Sequence, residues 1–345
     1  MSQETGRNLN MDHVKVLKRA WEILWRYRAL WVFGIILAAL TTGGGGGGGG
    51  NRWAQYNPRG EDFSPGGRFR IEEIPPEIVG TLIAIGVGLA CVIVILIIAA
   101  AVARYVAETA LIQMVDDYEE TGEKRSVRQG FRMGWSRTAL RLFLIDLLTG
   151  LPVALAFILL FLLVAAPLLL WATGLTAAGA MGTIATIGLG CLVVPLAIVV
   201  GVILSVLTRF FRRVCVLEQA GVIESIRQGY GMARQHLKDV AVMWLIMVGL
   251  GLSWVIVMIP VAILLVVLGV VLGGLPGLLV GALASLAFGG AVPWILALVV
   301  GIPIFILVLA GPLLFLGGLA EVFRSSVWTL TYRELRALEG SETQP

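Results

Sequence analysis

The chain has 345 residues, of which 58% are hydrophobic and 14% are charged, and its formal net charge is +4. Soluble proteins carry about 25% charged residues. The mean hydropathy of +0.91 comes from long apolar runs, which are typical of membrane spans and not of a soluble globular core. We therefore expect an all-α, polytopic integral membrane protein, with membrane lipids and no nucleic acid among its partners.

The N-terminal segment, MSQETGRNLNMDHVKVLKRAW, is polar and lacks the apolar core and small-residue cleavage site of a signal peptide. We expect insertion through the first membrane helix, predicted over 29–42. That helix would be about 21 Å long at about 1.5 Å per residue, which is short of the hydrocarbon thickness of about 30 Å. It crosses fully if residues 21–27 lie at the interface or if the bilayer thins locally.

A glycine-rich stretch, TTGGGGGGGGNRW, follows the first span. A phosphate-binding loop needs Lys and Ser or Thr after its last glycine, whereas NRW follows here. We predict a flexible linker inside an outer loop over 43–74. A ligand site in this loop, formed by Trp53, Tyr56 and Arg59, is the alternative.

Five further apolar runs bring the predicted number of membrane spans to six. The stretch 276–290 is apolar but short, so we predict a re-entrant or interfacial segment there, followed by the last span and a cytoplasmic C-terminal helix. The six predicted spans are 29–42, 78–103, 142–171, 183–207, 240–272 and 291–319.

Lysine and arginine are distributed unevenly between the loops. If the N-terminus is inside, 22 of the 26 basic residues lie in cytoplasmic segments, and the other four lie in the first outer loop. Short cytoplasmic loops carry an excess of Lys and Arg. We therefore predict a bacterial cytoplasmic (inner) membrane protein with both termini in the cytoplasm.

One phrase is repeated along the chain. SVRQGFRMGW at 126–135 returns as SIRQGYGMARQ at 225–235, and LKRAWEILW at 17–25 aligns with both. The apolar spacing of three and four predicts amphipathic helices, and Ser-x-x-Gln fits a capping box at a helix start. Because each copy precedes a membrane span, we predict three tandem repeats of one interfacial helix and two spans, over 1–115, 116–218 and 219–345.

Basic amphipathic helices beside a span lie in the cytoplasmic interface, with their cations toward anionic headgroups. In one interpretation these helices only orient each hairpin. In the other they form a surface that binds lipid or a protein partner. The candidate residues for that surface are Arg128, Arg132, Arg227 and Arg234.

Three parts of the sequence resemble a known group of proteins. They are the opening LWRYRALWVFGIILA with its glycine-rich loop, the S[VI]RQG[FY] helices and the C-terminal VWTLTYRELRAL. Together they resemble a group of uncharacterised bacterial multi-pass membrane proteins related to the membrane domain attached to some glycerophosphodiester phosphodiesterases. The phosphodiesterase domain itself would need a large soluble barrel, for which this chain has no room. The resemblance therefore implies a membrane topology and no catalytic residues.

The sequence contains no recognisable catalytic or metal-binding constellation. His13 and His236 have no second ligand at metal spacing. The three cysteines are isolated, and we find no nucleophile elbow, His-Glu-x-x-His or Cys-x-x-Cys motif. We expect no enzymatic activity, no cofactor and no metal.

Ionisable residues inside a membrane are costly, so they are the first candidates for a functional site. Asp146 is the deepest of them, and we expect it to pair with an arginine of the adjacent interfacial layer. The alternative is a proton or substrate site at Asp146 with Arg104 or Arg209 as its partner. We predict that the acidic run at 116–120 is a solvated cytoplasmic turn.

Two functions from different classes fit these patterns. The first is a non-enzymatic membrane protein that organises lipid or a partner complex at the cytoplasmic face. The alternative is a transporter or flippase of a lipid-like or apolar solute, which the repeats and the prolines inside the spans would suit.

Overall fold

The computed structural model describes residues 11–42 and 76–342, and in these ranges every regular element is a helix. The all-α class is therefore confirmed for the described residues. The outer loop predicted at 43–74, with its alternative ligand site, lies outside them. A 3₁₀ helix, Ala166–Thr173, continues from α5. The α-helices are α1 (His13–Arg26), α2 (Ala29–Thr42), α3 (Pro76–Thr121), α4 (Val127–Gly134), α5 (Arg137–Ala165), α6 (Thr176–Leu217), α7 (Val222–Gln235), α8 (Leu237–Ser285) and α9 (Val292–Glu342).

Five of the described helices, α3, α5, α6, α8 and α9, are long and apolar enough to cross a membrane. The short helices α1 and α2 would add a sixth crossing if the pair, bent by 100° between them, formed one broken span. These helices indicate a membrane protein. A count of six spans stays a prediction.

The long helices exceed the predicted spans that they contain. They run for 42 to 51 residues in α3, α6, α8 and α9, or about 63 to 77 Å at about 1.5 Å per residue. This is about twice the hydrocarbon thickness of a bilayer. Each of these four helices therefore continues beyond the membrane or crosses it at a tilt.

The separate segment predicted over 276–290 differs from the structure, because residues 276–285 continue α8 and the chain turns only after Ser285. Pro276 is accommodated inside α8, as prolines are in apolar helices whose neighbours compensate. Glycine permits the close approach of α8 to its neighbour: a Cβ added at Gly277 would lie 2.7 Å from the carbonyl oxygen of Ala297 in α9. Close packing of α8 on α9 thus extends to the tip of this hairpin.

Most of the buried residues gather at one end of the long helices. This end, here called the core end, contains α1 and α2 with residues 106–118 of α3, 206–216 of α6 and 319–335 of α9. The apolar windows of α3, α5 and α6 beyond it contain no buried residue. The core end is therefore the main packed region of the described chain. From it α3, α5 and α6 extend as largely unpacked apolar helices, whereas α8 and α9 stay packed on each other to the tip of their hairpin. The largest fully buried side chains include Tyr27, Phe33, Phe210 and Trp328.

Each short helix that carries the repeated phrase packs on a long helix of the core end: α1 on α9, α4 on α3 and α7 on α6. The second residue after the aligned cation (Lys18, Arg128 or Arg227) is small in every copy, and it lies at the contact. Gly130 meets Met114 of α3, and a Cβ added at Gly229 would lie 2.7 Å from Phe211 Cδ1 of α6. Ala20, at the same alignment position in α1, is completely buried. A small side chain at this position permits the close approach of the two helices.

The capping box is confirmed for one copy of the phrase and is wrong for the other. At the start of α4, Ser126 Oγ accepts a hydrogen bond from the Gln129 amide, and Gln129 Oε1 accepts one from the Ser126 amide. The helix α7 begins at Val222, three residues before Ser225, so Ser225 lies inside the first turn and is not the N-cap. Its buried hydroxyl donates to the carbonyl oxygen of Gly221 at 2.8 Å.

Candidate functional site

Arg212 of α6 is the centre of a charged layer at the boundary between the core end and the exposed apolar helices. Its Nη1 donates to Glu108 Oε1 of α3 at 2.7 Å. Its Nε and Nη2 donate to the two carboxylate oxygens of Asp146 of α5, at 2.7 to 3.0 Å. The Tyr105 hydroxyl donates to Asp146 Oδ2 at 3.1 Å. One guanidinium group therefore joins three long helices.

Asp146 has its carboxylate oxygens occupied in this arrangement. The side chains of Arg212, Glu108 and Asp146 are only 19%, 15% and 17% exposed. A buried ion pair is tolerated when further hydrogen bonds satisfy its charges, as they do here. Asp146 thus binds an arginine of the adjacent helix, and neither Arg104 nor Arg209 is its ion-pair partner among the described residues.

A cavity of about 320 Å³ lies beside this ion pair, between α2, α3, α6 and α9. We call it the arginine cavity. Two of its arginines have acidic partners in its wall: Arg212 binds Glu108, and Arg324 Nη1 lies 3.0 Å from Glu321 Oε1. The charged residues that line it are Arg104, Arg209, Arg212, Arg213, Arg324, Glu108 and Glu321.

The other three arginines of the cavity have no carboxylate within 4.0 Å in the described part of the chain. The Arg209 guanidinium carbon lies 5.3 Å from the centre of the Trp328 ring. Arg213, only 5% exposed, donates to the carbonyl oxygens of Arg209 and Ser325. The Nε atoms of Arg213 and Arg104 are buried without a hydrogen-bond partner among the described residues. The cavity therefore holds uncompensated positive charge.

A second cavity, of about 440 Å³, adjoins the first and shares Ser205, Arg209 and Arg324 with it. Its other lining residues are apolar or glycine and come from α6, α8 and, for Trp328, α9. We call it the apolar cavity. Positive charge and a space bounded by apolar side chains are therefore adjacent in this part of the molecule. The additional lining residues are Ile198, Gly201, Val202, Trp244, Met247, Val248 and Trp328.

The four arginines predicted to face lipid or a partner lie elsewhere. They are exposed on α4 and α7, none lines the arginine cavity, and none has a carboxylate within 4.0 Å in the described ranges. Exposed apolar side chains accompany them: Phe131 on α4, and Ile223 and Tyr230 on α7. The structure thus leaves Arg128, Arg132, Arg227 and Arg234 accessible.

The acidic run at 116–120 is not a solvated turn, because it forms the last turns of α3 and binds arginines from other elements. Asp116 pairs with Arg333 of α9. Asp117 Oδ2 lies 2.5 Å from Arg125 Nε and raises the pKa of that guanidinium above its ordinary value. Glu119 lies 2.7 Å from Arg19 of α1. These pairs connect α3 to the first and the last helix of the core end.

Sequence reasoning missed Arg212, the residue that holds Asp146. The sequence RFFRRV places three arginines within five residues of α6, and their helical spacing was the available indication that more than one of them faces the helix bundle. No group of three or more His, Cys, Asp or Glu residues that could hold a metal occurs in the described ranges.

A comparison with protein-family models matches residues 16–326 to a family of unknown function, DUF7544. Neither the curated proteins nor the solved structures contain a match to this chain.

Proposed function

Because the chain belongs to the family of unknown function DUF7544, we propose its role from geometry and charge: a non-enzymatic membrane protein that organises anionic lipid at the cytoplasmic face. We place it in the bacterial cytoplasmic membrane with both termini inside, on the distribution of its basic residues. Membrane-spanning helices are its coarse architecture, and three hairpin repeats are the finer arrangement that we propose.

The observation that carries this proposal is the set of exposed arginines on α4 and α7 that have no acidic partner among the described residues. A cation near an anionic membrane surface contributes about 1 kcal/mol of attraction. The exposed Phe131 and Tyr230 on the same helices suit the interfacial layer, where aromatic side chains are enriched.

The packing of these helices supports an organising role. Gly130 and Gly229 hold α4 and α7 directly against the long helices α3 and α6. The arginines are therefore presented on a fixed support and not on a mobile loop. A rigid support orders the bound headgroups relative to the helix bundle, since little backbone entropy is lost on binding.

The experiment is a lipid count. The full chain would be extracted directly into polymer nanodiscs from a membrane of known composition, and the retained lipids quantified by mass spectrometry. We expect enrichment of anionic over zwitterionic lipid. The enrichment should fall when Arg128, Arg132, Arg227 and Arg234 are all replaced by Glu, and it should persist when all four are replaced by Lys.

Unchanged enrichment in the Glu variant would refute lipid binding by these arginines. Native mass spectrometry of the same nanodiscs reports protein partners as well. If a protein binds the unaltered chain in a stoichiometric amount and is lost in the Glu variant, this surface binds a partner complex and not lipid.

A second candidate, a transporter or flippase of a lipid-like solute, is supported by the position of the arginine cavity between four helices. Its test is the transfer of a fluorescent phospholipid between leaflets of proteoliposomes. Transfer faster than in protein-free vesicles, and slower again in Arg209→Gln, would support it. Transfer at the rate of protein-free vesicles would rule out this second function.

A further inference from the structure

The arginine cavity carries more positive than negative charge. Five guanidinium groups line it, and three carboxylates balance them when Asp146 behind Arg212 is included with Glu108 and Glu321. Buried charges are stable when they are paired. An excess of two positive charges in a partly enclosed space therefore calls for a bound anion.

The donors indicate the chemical class of this anion. The guanidinium groups of Arg104, Arg209 and Arg213 line the cavity without a carboxylate partner among the described residues, and the Ser205 hydroxyl lies in the same wall. Guanidinium groups match phosphate oxygens with paired, charge-assisted hydrogen bonds. A phosphate monoester carries a charge of about −1.5 to −2 at neutral pH, which balances the excess, whereas a phosphate diester supplies half of it.

The adjoining apolar cavity indicates where this phosphate comes from. It starts at Arg209 and Arg324 and continues between α6 and α8 past Val202, Met247 and Val248. The side chains of α6 and α8 farther from the core end are exposed and apolar, which suits an acyl chain lying along them. A soluble phosphate has no acyl chain and would leave the apolar cavity unfilled.

We propose that the arginine cavity binds the phosphate monoester headgroup of an anionic lipid, and that one acyl chain of this lipid occupies the adjoining apolar cavity. This site rests on the proposed function, the binding of anionic lipid, and specifies the class of lipid as a phosphate monoester. It uses different residues from the exposed arginines of α4 and α7, so the two proposals can fail separately.

The experiment begins with the unaltered chain in detergent. Native mass spectrometry would measure its binding of dioleoyl phosphatidic acid, dioleoyl phosphatidylglycerol, dioleoylglycerol and inorganic phosphate. We expect phosphatidic acid to bind at least about tenfold more tightly than phosphatidylglycerol, since one further charge-assisted hydrogen bond is worth that factor. Equal binding of the two lipids, or binding of inorganic phosphate as tight as that of phosphatidic acid, would overturn the proposal.

Variants then locate the site. The double replacement Arg104→Gln and Arg209→Gln should weaken phosphatidic acid at least about tenfold, because two charged donors are lost. The matched control, Arg128→Gln with Arg227→Gln, removes the same charge from the surface and should preserve the preference for phosphatidic acid. If the control abolished the preference and the cavity variant kept it, the preference would belong to the surface arginines and the cavity proposal would be wrong.

A third variant separates the lipid chain from the phosphate and does not depend on the arginines. Val248 is 44% exposed, and it lines the apolar cavity but not the arginine cavity. The replacement Val248→Trp therefore fills part of the apolar cavity without removing charge. We expect weaker binding of phosphatidic acid and unchanged binding of inorganic phosphate. Undiminished lipid binding would show that the chain does not lie in the apolar cavity.

Discussion

Arg212 and Asp146 form an ion pair in which Arg212 Nη2 lies 2.7 Å from Asp146 Oδ2 and Arg212 Nε lies 3.0 Å from Asp146 Oδ1. The two residues belong to α6 and α5, and the same guanidinium group reaches Glu108 of α3. Because all three side chains are mostly buried, removal of the cation would leave two carboxylates without compensation.

We therefore predict that Arg212→Gln destabilises the protein by about 3–5 kcal/mol, the usual cost of removing one partner from a buried ion pair. Arg324→Gln is the matched control, because its pair with Glu321 lies within one helix and the two side chains are 38% and 28% exposed. The control should cost at most about 1 kcal/mol. Unfolding in mild detergent, followed by tryptophan fluorescence, measures both. Equal losses would contradict the structural importance of Arg212.

Two glycines of α7, Gly229 and Gly231, allow a matched test of how this helix packs, because they are two positions apart and differ in their surroundings. A Cβ at Gly229 would meet Phe211, whereas a Cβ at Gly231 would meet nothing within 4 Å. We predict that Gly229→Ala destabilises by about 1–3 kcal/mol through overpacking. Gly231→Ala should be neutral or stabilising by up to about 1 kcal/mol, because alanine favours helix. The measurement is again detergent unfolding, and the reverse order of the two variants would refute the contact.

The hairpin of α8 and α9 offers a similar pair of positions. Gly277 faces Ala297 and Gly301 at close range, while Gly274 has open space around its Cα. We expect Gly277→Leu to separate the two helices and lower the thermal midpoint of the protein by several degrees. Gly274→Leu should leave the midpoint unchanged or raise it slightly, because a Cβ there meets nothing within 4 Å and leucine favours helix over glycine. If both variants lowered the thermal midpoint by the same amount, the effect would come from adding a large side chain anywhere in the hairpin and not from the contact of Gly277 with α9.

The two serines of the repeated phrase should respond differently to alanine. Ser126 caps α4, so Ser126→Ala should cost about 1 kcal/mol and speed amide hydrogen exchange in the first turn of α4. Ser225 donates only to the Gly221 carbonyl oxygen, which already accepts the Ser225 amide. Ser225→Ala leaves no unsatisfied group and should cost less than about 1 kcal/mol. A larger cost at Ser225 than at Ser126 would contradict this assignment.

Local features of the fold could be predicted from the sequence. The sequence predicts the first membrane span over 29–42. A helix has these bounds, Ala29–Thr42, although it is not by itself among the five described helices that could cross a membrane. The capping box predicted at Ser126 is confirmed. Both depend on residues within a few positions of each other, where hydrophobic periodicity and hydrogen-bonding side chains act directly. The helical class follows from the same local patterns.

Apart from the capping box at Ser225, whose helix begins at Val222, the features predicted wrongly or incompletely depend on contacts between distant parts of the chain. The acidic run resembles a solvated turn in composition, but Asp116 binds Arg333, which is 217 residues away. Asp146 was expected to bind an arginine, and the choice of Arg212 over Arg104 or Arg209 is set by how α3, α5 and α6 cross. Periodicity gives the face of a helix and not its partner, so neither contact could be identified before the helices were arranged.

The packing of α1 on α9, and of α2 on both α9 and α3, has a consequence for biosynthesis. The ribosome makes α1 first and α9 last, and the contact between Gly34 and Gly318 joins segments nearly three hundred residues apart in order of synthesis. Until residues 318–335 emerge, Ile23 and Leu30, which are completely buried in the finished protein, lack part of their packing surface. Of the described helices, the first two are therefore exposed longest to chaperones, the translocon and proteases, and the core end is completed only after α9 has been made.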